Sequence, residues 1–266
     1  MFVDSHCHLN YKGLVEQQHD VIARARAAGV GTMLTISTRE REWDEVVAIA
    51  EGQGDIWASI GIHPHEADAH AHVTAATLVD RAAHPRVIGI GESGLDYYYD
   101  HSDRAAQARN FRAHIAASRE TGLPLIVHTR DAEEDTLAIV GEEMGKGAFP
   151  CLIHCFTASG AFADAALTLG CYISISGIVT FKNARDLQAV AARLPIERLL
   201  IETDAPFLAP VPHRGKTAEP AFVADTARFL ADLRGTSVEA LAEATTANFF
   251  RLFNKANPSP LGEGRA

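Results

Sequence analysis

Imidazoles and carboxylates recur in this chain at the ends of short apolar runs. His6 and His8 stand one residue apart after Phe2 and Val3, and His63 and His65 follow Ile62. Glu92 follows Ile90 and Gly91, His128 follows Ile126 and Val127, His154 follows Leu152 and Ile153, and Glu202 and Asp204 follow Leu200 and Ile201. A single histidine at such a place is commonly a hydrogen-bonded structural residue, and a single carboxylate there is commonly a helix cap. Six such groups at equivalent places, His6, His8, Glu92, His128, His154 and Asp204, point elsewhere. Gathered at one point they would be costly to desolvate without a cation among them.

Nitrogen and oxygen donors without thiolate suit zinc or manganese, whereas magnesium prefers oxygen. Four histidines and two carboxylates exceed what one catalytic ion needs. The expected cofactor is two divalent ions, or three, of zinc, manganese or magnesium, with a pair about 3.5–4 Å apart bridged by a carboxylate. Glu92, halfway along the series, is the natural bridge.

The elements that position these groups can be read from hydrophobic periodicity. Apolar, β-branched runs at 2–6, 31–36, 57–61, 87–91, 125–128, 151–154, 172–176 and 199–202 read as strands. Amphipathic stretches at 14–28, 41–52, 75–83, 103–121, 132–141, 160–169 and 184–194 separate them, and two more follow at 220–233 and 237–250. Eight strands alternating with helices predict an α/β fold, a TIM (β/α)8 barrel, as a single domain over 1–256 with a loose tail at 257–266. The metal site then lies at the C-terminal mouth, where residues from distant strands meet. An open doubly wound sheet competes, but it would concentrate its chemistry at one switch point. Strand alternation sends His6 and His8 to one face and Cys7 to the other, and likewise separates His154 from Cys151 and Cys155.

Composition limits the partners. Hydrophobic residues are 47% and charged residues 22% of the 266, enough apolar material for a sizeable core. The net charge of −10 argues against tight nonspecific duplex binding, which phosphate neutralisation drives. Bound cations can still reverse the local field at a site. Cys7, Cys151, Cys155 and Cys171 read as reduced, buried thiols rather than a disulfide framework. No basic leader or long apolar span is present, so the expected location is cytoplasmic, with no membrane partner. The expected state is a monomer or weak oligomer.

The ordered set DSHCHL (4–9), GIHPH (61–65), IGIGESGLDYYY (88–99), PLIVHTRDA (124–132), LIHCFTAS (152–159), LLIETDAPFLAP (199–210), HRGKTAEPAFV (213–223) and TTANFFRLF (245–253) resembles the TatD-related metal-dependent deoxyribonucleases. Those belong to the amidohydrolase-like barrel superfamily. The resemblance implies that His6, His8 and Glu92 bind one metal and that Glu92 bridges to a second held by His128 and His154. It implies that Asp204 completes the site and orients or deprotonates the attacking water, while His63 contacts the phosphate. Where related amidohydrolases often carry a carbamylated lysine, this chain has Glu92, which moves it away from that branch.

The implied reaction is phosphodiester hydrolysis of single-stranded DNA from a 3′ end, with Asp204, His63 and Glu92 as the catalytic set. Glu202, two residues before Asp204, reads as a group that orients a ligand. Arg130, Lys182 and Arg214, with Arg185 and Lys216, follow strand ends where flanking phosphates would lie. Tyr97, Tyr98 and Tyr99 can stack a base or pack the rim. Two alternatives share the sequence: a hydrolase of another ester or an amide, such as an aminoacyl-tRNA deacylase, and a non-catalytic barrel that keeps a metal.

Overall fold

A computed structural model describes residues 1–99 and 101–256; the expected tail at 257–266 lies outside the described residues. The eight strands are β1 (Phe2–Cys7), β2 (Val30–Ile36), β3 (Ile56–Ile60), β4 (Val87–Asp96), β5 (Leu125–Arg130), β6 (Cys151–Ile153), β7 (Tyr172–Ile175) and β8 (Leu199–Ile201). Each pairs in parallel with the next, in sequence order. Helices α1 (Gln18–Ala27), α2 (Trp43–Glu51), α3 (Ala75–Ala82), α4 (Arg104–Thr121), α5 (Glu133–Lys146), α6 (Gly160–Thr168) and α7 (Arg185–Arg193) fill the crossovers, and α8 (Val223–Leu233) and α9 (Val238–Leu252) follow β8. The sheet closes where Asp204 N donates to His6 O at 2.9 Å and His8 N donates to Ala205 O at 2.8 Å. The barrel is therefore the architecture, and the open sheet is excluded.

Two expected boundaries move by five residues. Helix α5 runs to Lys146 rather than stopping at 141: Gly141 costs about 1 kcal/mol in a helix interior, but Lys146 then pairs with both Glu142 and Glu143 at 2.8 Å. Strand β4 runs to Asp96 rather than ending at Gly91, carrying the whole GESGLD segment along the barrel wall.

Apolar side chains form two layers. Val3, Leu34, Ile36, Ile88, Ile126, Leu152 and Leu200 meet inside the barrel with Phe249, Leu252 and Phe253 from the end of α9. Neighbouring strand positions such as Met33, Ile90, Val127 and Ile153 join the helices in the outer layer. Asn248 donates from Nδ2 to Ile196 O at 2.6 Å and Leu199 O at 2.9 Å, which anchors α9 to the start of β8.

Plain alternation from Val3 would carry Cys7 inward with the inner layer. Between Asp4 and Cys7 the chain advances three residues while β2 advances two, from Met33 to Thr35. That bulge turns Cys7 into the outer layer and His6 and His8 inward. Strand β4 repeats the device: Ile90 pairs with Leu125 and Ser93 with Val127, again three against two. Ile90 therefore packs outward while Glu92, two residues on, faces the barrel interior.

Candidate metal centre

Glu92 sits at the centre of the mouth, 3% exposed. His154 Nε2 is 2.8 Å from its Oε2, His6 Nε2 is 3.8 Å from Oε2, and His8 Nε2 is 3.8 Å from Oε1. Asp204 Oδ1 completes the group, 3.6 Å from His6 Nε2 and 3.5 Å from His8 Nε2. Donors on a tetrahedral ion with bonds of about 2.1 Å stand roughly 3.4 Å apart. The His6, His8 and Glu92 atoms therefore fit a divalent ion between them, with Asp204 Oδ1 facing both rings.

The hydrogen-bond inventory gives an independent test of fit. Both ring nitrogens of His6 are buried without a hydrogen-bond partner, while those of His154 face only the Glu92 and Glu202 carboxylates, outside hydrogen-bond geometry. Such orphaned groups are uncommon unless something outside the chain satisfies them. His8 donates from Nδ1 to Ile36 O at 3.1 Å, which leaves the Nε2 lone pair facing Glu92 and Asp204. The His6 and His154 rings stack at 4.0 Å with 7° between planes.

Among the described residues three donor clusters emerge, none of which includes Asp204: His6 with His8 and Glu92, His63 with Glu92 and His128, and His6 with His154 and Glu202. Glu92 belongs to two of them, as a bridging carboxylate requires. His128 and His154 fall in different clusters, with ring centroids 5.6 Å apart. His63 joins a cluster, but its Nδ1 accepts the His65 N–H at 3.2 Å. The neutral ring then carries its proton on Nε2, a donor's arrangement rather than a ligand's.

Supporting carboxylates hold the rings. Glu202 Oε1 lies 3.5 Å from His154 Nδ1, and its other oxygen accepts from Ser174 Oγ. Asp96 Oδ2 is shared by His128 Nε2 at 3.0 Å and His65 Nε2 at 2.9 Å. Asp4 Oδ1 accepts from Thr203 N at 2.9 Å and Oδ2 from Thr203 Oγ at 2.6 Å, which ties β1 to the segment that carries Asp204. His114 of α4 accepts the Ile62 N–H at Nε2, 3.0 Å, and so fixes the backbone just before His63.

Electrostatics follows from burial and crowding. Burial alone would raise Glu92, but His154, His63 and His6 hold it well below the usual carboxylate range. Burial and the neighbouring His154 push His6 well below the usual imidazole value, leaving the lone pair of one ring nitrogen free. His154 moves the other way: burial would lower it, yet Glu92 and Glu202 raise it well above. Asp96 is opposed by burial but held down by His128 and His65. Burial pushes Asp4 up to about 8 against the hydrogen bonds from Thr203 and His6. A cation entering here would displace the proton that balances Glu92, so binding would be coupled to proton release.

The mouth is a cavity of about 770 Å³ that includes His63, Glu92, His128, His154, Asp204 and Arg130 in its lining. Arg130 lies over Tyr98 and Tyr99, 4.1 and 4.8 Å from their ring centroids. Tyr98, Tyr99 and Phe207 are exposed and line this cavity. Tyr97 instead bonds Asp135 at 2.6 Å. Lys182 and Arg214 are exposed outside the lining, Arg214 resting 3.7 Å over Phe181, and Arg185 and Lys216 also lie outside it. Sequence reasoning gave no role to His65, Asp96, Asp4, Arg39 or Phe207. Asp96 and His65 had a signal, since both stand inside the GESGLD and GIHPH segments; Arg39 had none.

Comparison with known proteins agrees with this geometry. The family described as TatD related DNase matches residues 3–254. The uncharacterized metal-dependent hydrolase YcfH of Escherichia coli K12 is 44% identical over 257 residues, covering 95% of each chain. The 3′-5′ ssDNA/RNA exonuclease TatD of Erwinia tasmaniensis is 36% identical over 240 residues, 88% of this chain and 92% of that one. The crystal structure of YJJV, a TatD homolog from Escherichia coli K12, superposes with a TM-score of 0.88 at 27% identity, covering 95% of this chain and 98% of the other.

Proposed function

Since the chain belongs to the family of TatD-related DNases and is one of its metal-dependent hydrolases, we propose that its substrate is single-stranded nucleic acid, trimmed from the 3′ end by phosphodiester hydrolysis. The observation that carries this reading is the mouth: a donor set with orphaned His6 nitrogens on its floor, and exposed Tyr98, Tyr99 and Phe207 with Arg130 around it. The relative named as an ssDNA/RNA exonuclease supports the same substrate class.

In this reading His6, His8, Glu92 and Asp204 hold one ion, and Glu92, His128 and His154 hold another. When bound, the ions supply Lewis acidity to the phosphate and bring the pKa of a water toward neutrality. Asp204 receives the proton of the attacking water. His63 donates from Nε2 to a nonbridging oxygen as charge builds there. Glu202 keeps His154 oriented through Nδ1, and Asp96 does the same for His128. Arg130 meets a flanking phosphate, and Tyr98 and Tyr99 offer faces to unpaired bases. Lys182 and Arg214, outside the lining, would meet only a strand long enough to leave the mouth. The four cysteines are free thiols, which supports a cytoplasmic address.

Parallel assays test the bond as well as the substrate. Metal-loaded protein should release the terminal nucleotide from 3′-labelled single-stranded DNA faster than from a blunt duplex, and should leave aminoacyl-tRNA intact. Deacylation of the tRNA without release of nucleotides would overturn the proposal in favour of a carboxylic-ester hydrolase.

A further inference from the structure

Beside the mouth lies a second hollow of about 420 Å³, and Tyr11 and Arg39 line both. Tyr11 forms the wall between them: its ring stacks on His8 at 4.5 Å, and Phe207 meets it edge-on at 6.1 Å. The hollow has no part in the chemistry at the floor of the mouth. Its remaining walls are Asn10, Lys12, Arg41, Glu42 and Glu45.

Two of its residues carry buried polar atoms with no hydrogen-bond partner, Arg39 Nε and Asn10 Oδ1. One is a donor and the other an acceptor. The rest of each side chain is tied down. Arg39 is held by Glu66 at 2.7 Å and approaches Glu42 at 3.9 Å, while Asn10 Nδ2 donates to Glu45 at 3.5 Å. Glu42 is further occupied by Thr38, accepting from its N at 2.9 Å and its Oγ at 3.0 Å. Lys12 and Arg41 are exposed and make no ion pair among the described residues. Arg39 is neutralised by its carboxylate neighbours, so Lys12 and Arg41 are the cations the hollow leaves unpaired, beside a spare donor and a spare acceptor.

We infer that this hollow is a nucleotide subsite for the strand on the 5′ side of the scissile bond. A backbone phosphate accepts from Arg39 Nε–H and lies against Lys12 and Arg41, while a sugar hydroxyl or base amino group donates to Asn10 Oδ1. The strand leaves the metal centre across Tyr11. A terminal nucleotide alone does not reach the hollow, so the subsite rewards length rather than bond type. The inference rests on the nuclease reading, and its test separates the two.

The Lys12→Ala/Arg41→Ala double variant should be compared with wild type on a decathymidylate and a dinucleotide. The expected result is a decamer-to-dinucleotide ratio of kcat/KM about tenfold lower, and a log–log salt dependence on the decamer shallower by about 1.4, the slope of two lost single-strand phosphate contacts. Asn10→Ala should lower the same ratio without changing the salt slope. A double variant with the wild-type ratio and slope, from an enzyme that degrades the decamer, overturns the subsite alone. A wild-type enzyme that hydrolyses other esters but neither oligonucleotide overturns the nuclease reading, and the subsite with it.

Discussion

Glu92 and Asp204 occupy similar surroundings but do different work. Glu92 is enclosed by His6, His8 and His154, whereas Asp204 meets His6 and His8 from the open side, with a side chain 15% exposed against 5% for Glu92. Replacing Asp204 with Asn should keep most of the metal affinity while lowering kcat by about 10²–10⁴-fold, the range for loss of a positioned base. Calorimetric metal titration beside turnover reads the two apart, and equal loss of both would make Asp204 a ligand only. Glu202→Gln should weaken metal affinity by about 10–100-fold through the loosened His154 ring; unchanged affinity would show that His154 needs no such support. The six ligating candidates were legible because each ends an apolar run. Asp96 had a signal in the GESGLD segment but its role was not legible, because nothing in the linear pattern shows that the carboxylate four residues after Glu92 reaches His128 on the next strand.

At the level of elements, strands and helices were legible from their periods, but the two bulges were not. One extra residue leaves no mark on an apolar run, yet it decides whether His6, His8 and Glu92 face the barrel interior. Gly94 sits just past the β4 bulge at φ +148°, where an added Cβ would stand 1.9 Å from His128 O. Gly94→Ala should therefore push β4 from β5, costing at least about 2 kcal/mol in chemical denaturation and weakening metal binding together with it; a variant as stable as wild type would contradict this packing. The buried His114 ring links α4 to the His63 segment and is lowered to about 4 by burial, against the Asn110 carbonyl that raises it. The unfolded ring takes up a proton near its ordinary value of 6.5 while the folded ring resists until about 4. Its contribution is whole above pH 6.5 and is lost as pH falls toward 4, by roughly 3 kcal/mol at the lower end. Denaturation midpoints from pH 7 to 5 should fall less steeply in His114→Gln than in wild type, and equal slopes would assign the loss to other groups.

The whole molecule is a device for bringing together groups from β1, β4, β5, β6 and the segment after β8. Their convergence was legible from the count of eight strands, but closure itself rests on the backbone bonds between Asp204 and His6 and between His8 and Ala205. Because those bonds lie beside the donor set, ion binding should stiffen the seam of the barrel. Metal at a hundredfold its Kd should add about 2.7 kcal/mol to stability, visible as a higher Tm that a chelator reverses. The central claim is that hydrolysis of nucleic acid runs through this donor set. Its most direct test is the release of label from 3′-labelled single-stranded DNA by chelated protein, before and after manganese is restored, in wild type and Glu92→Ala. Chelated protein should release no label, and manganese should restore full release in wild type and none in Glu92→Ala. Release that survives chelation, or a Glu92→Ala protein as active as wild type, would contradict it.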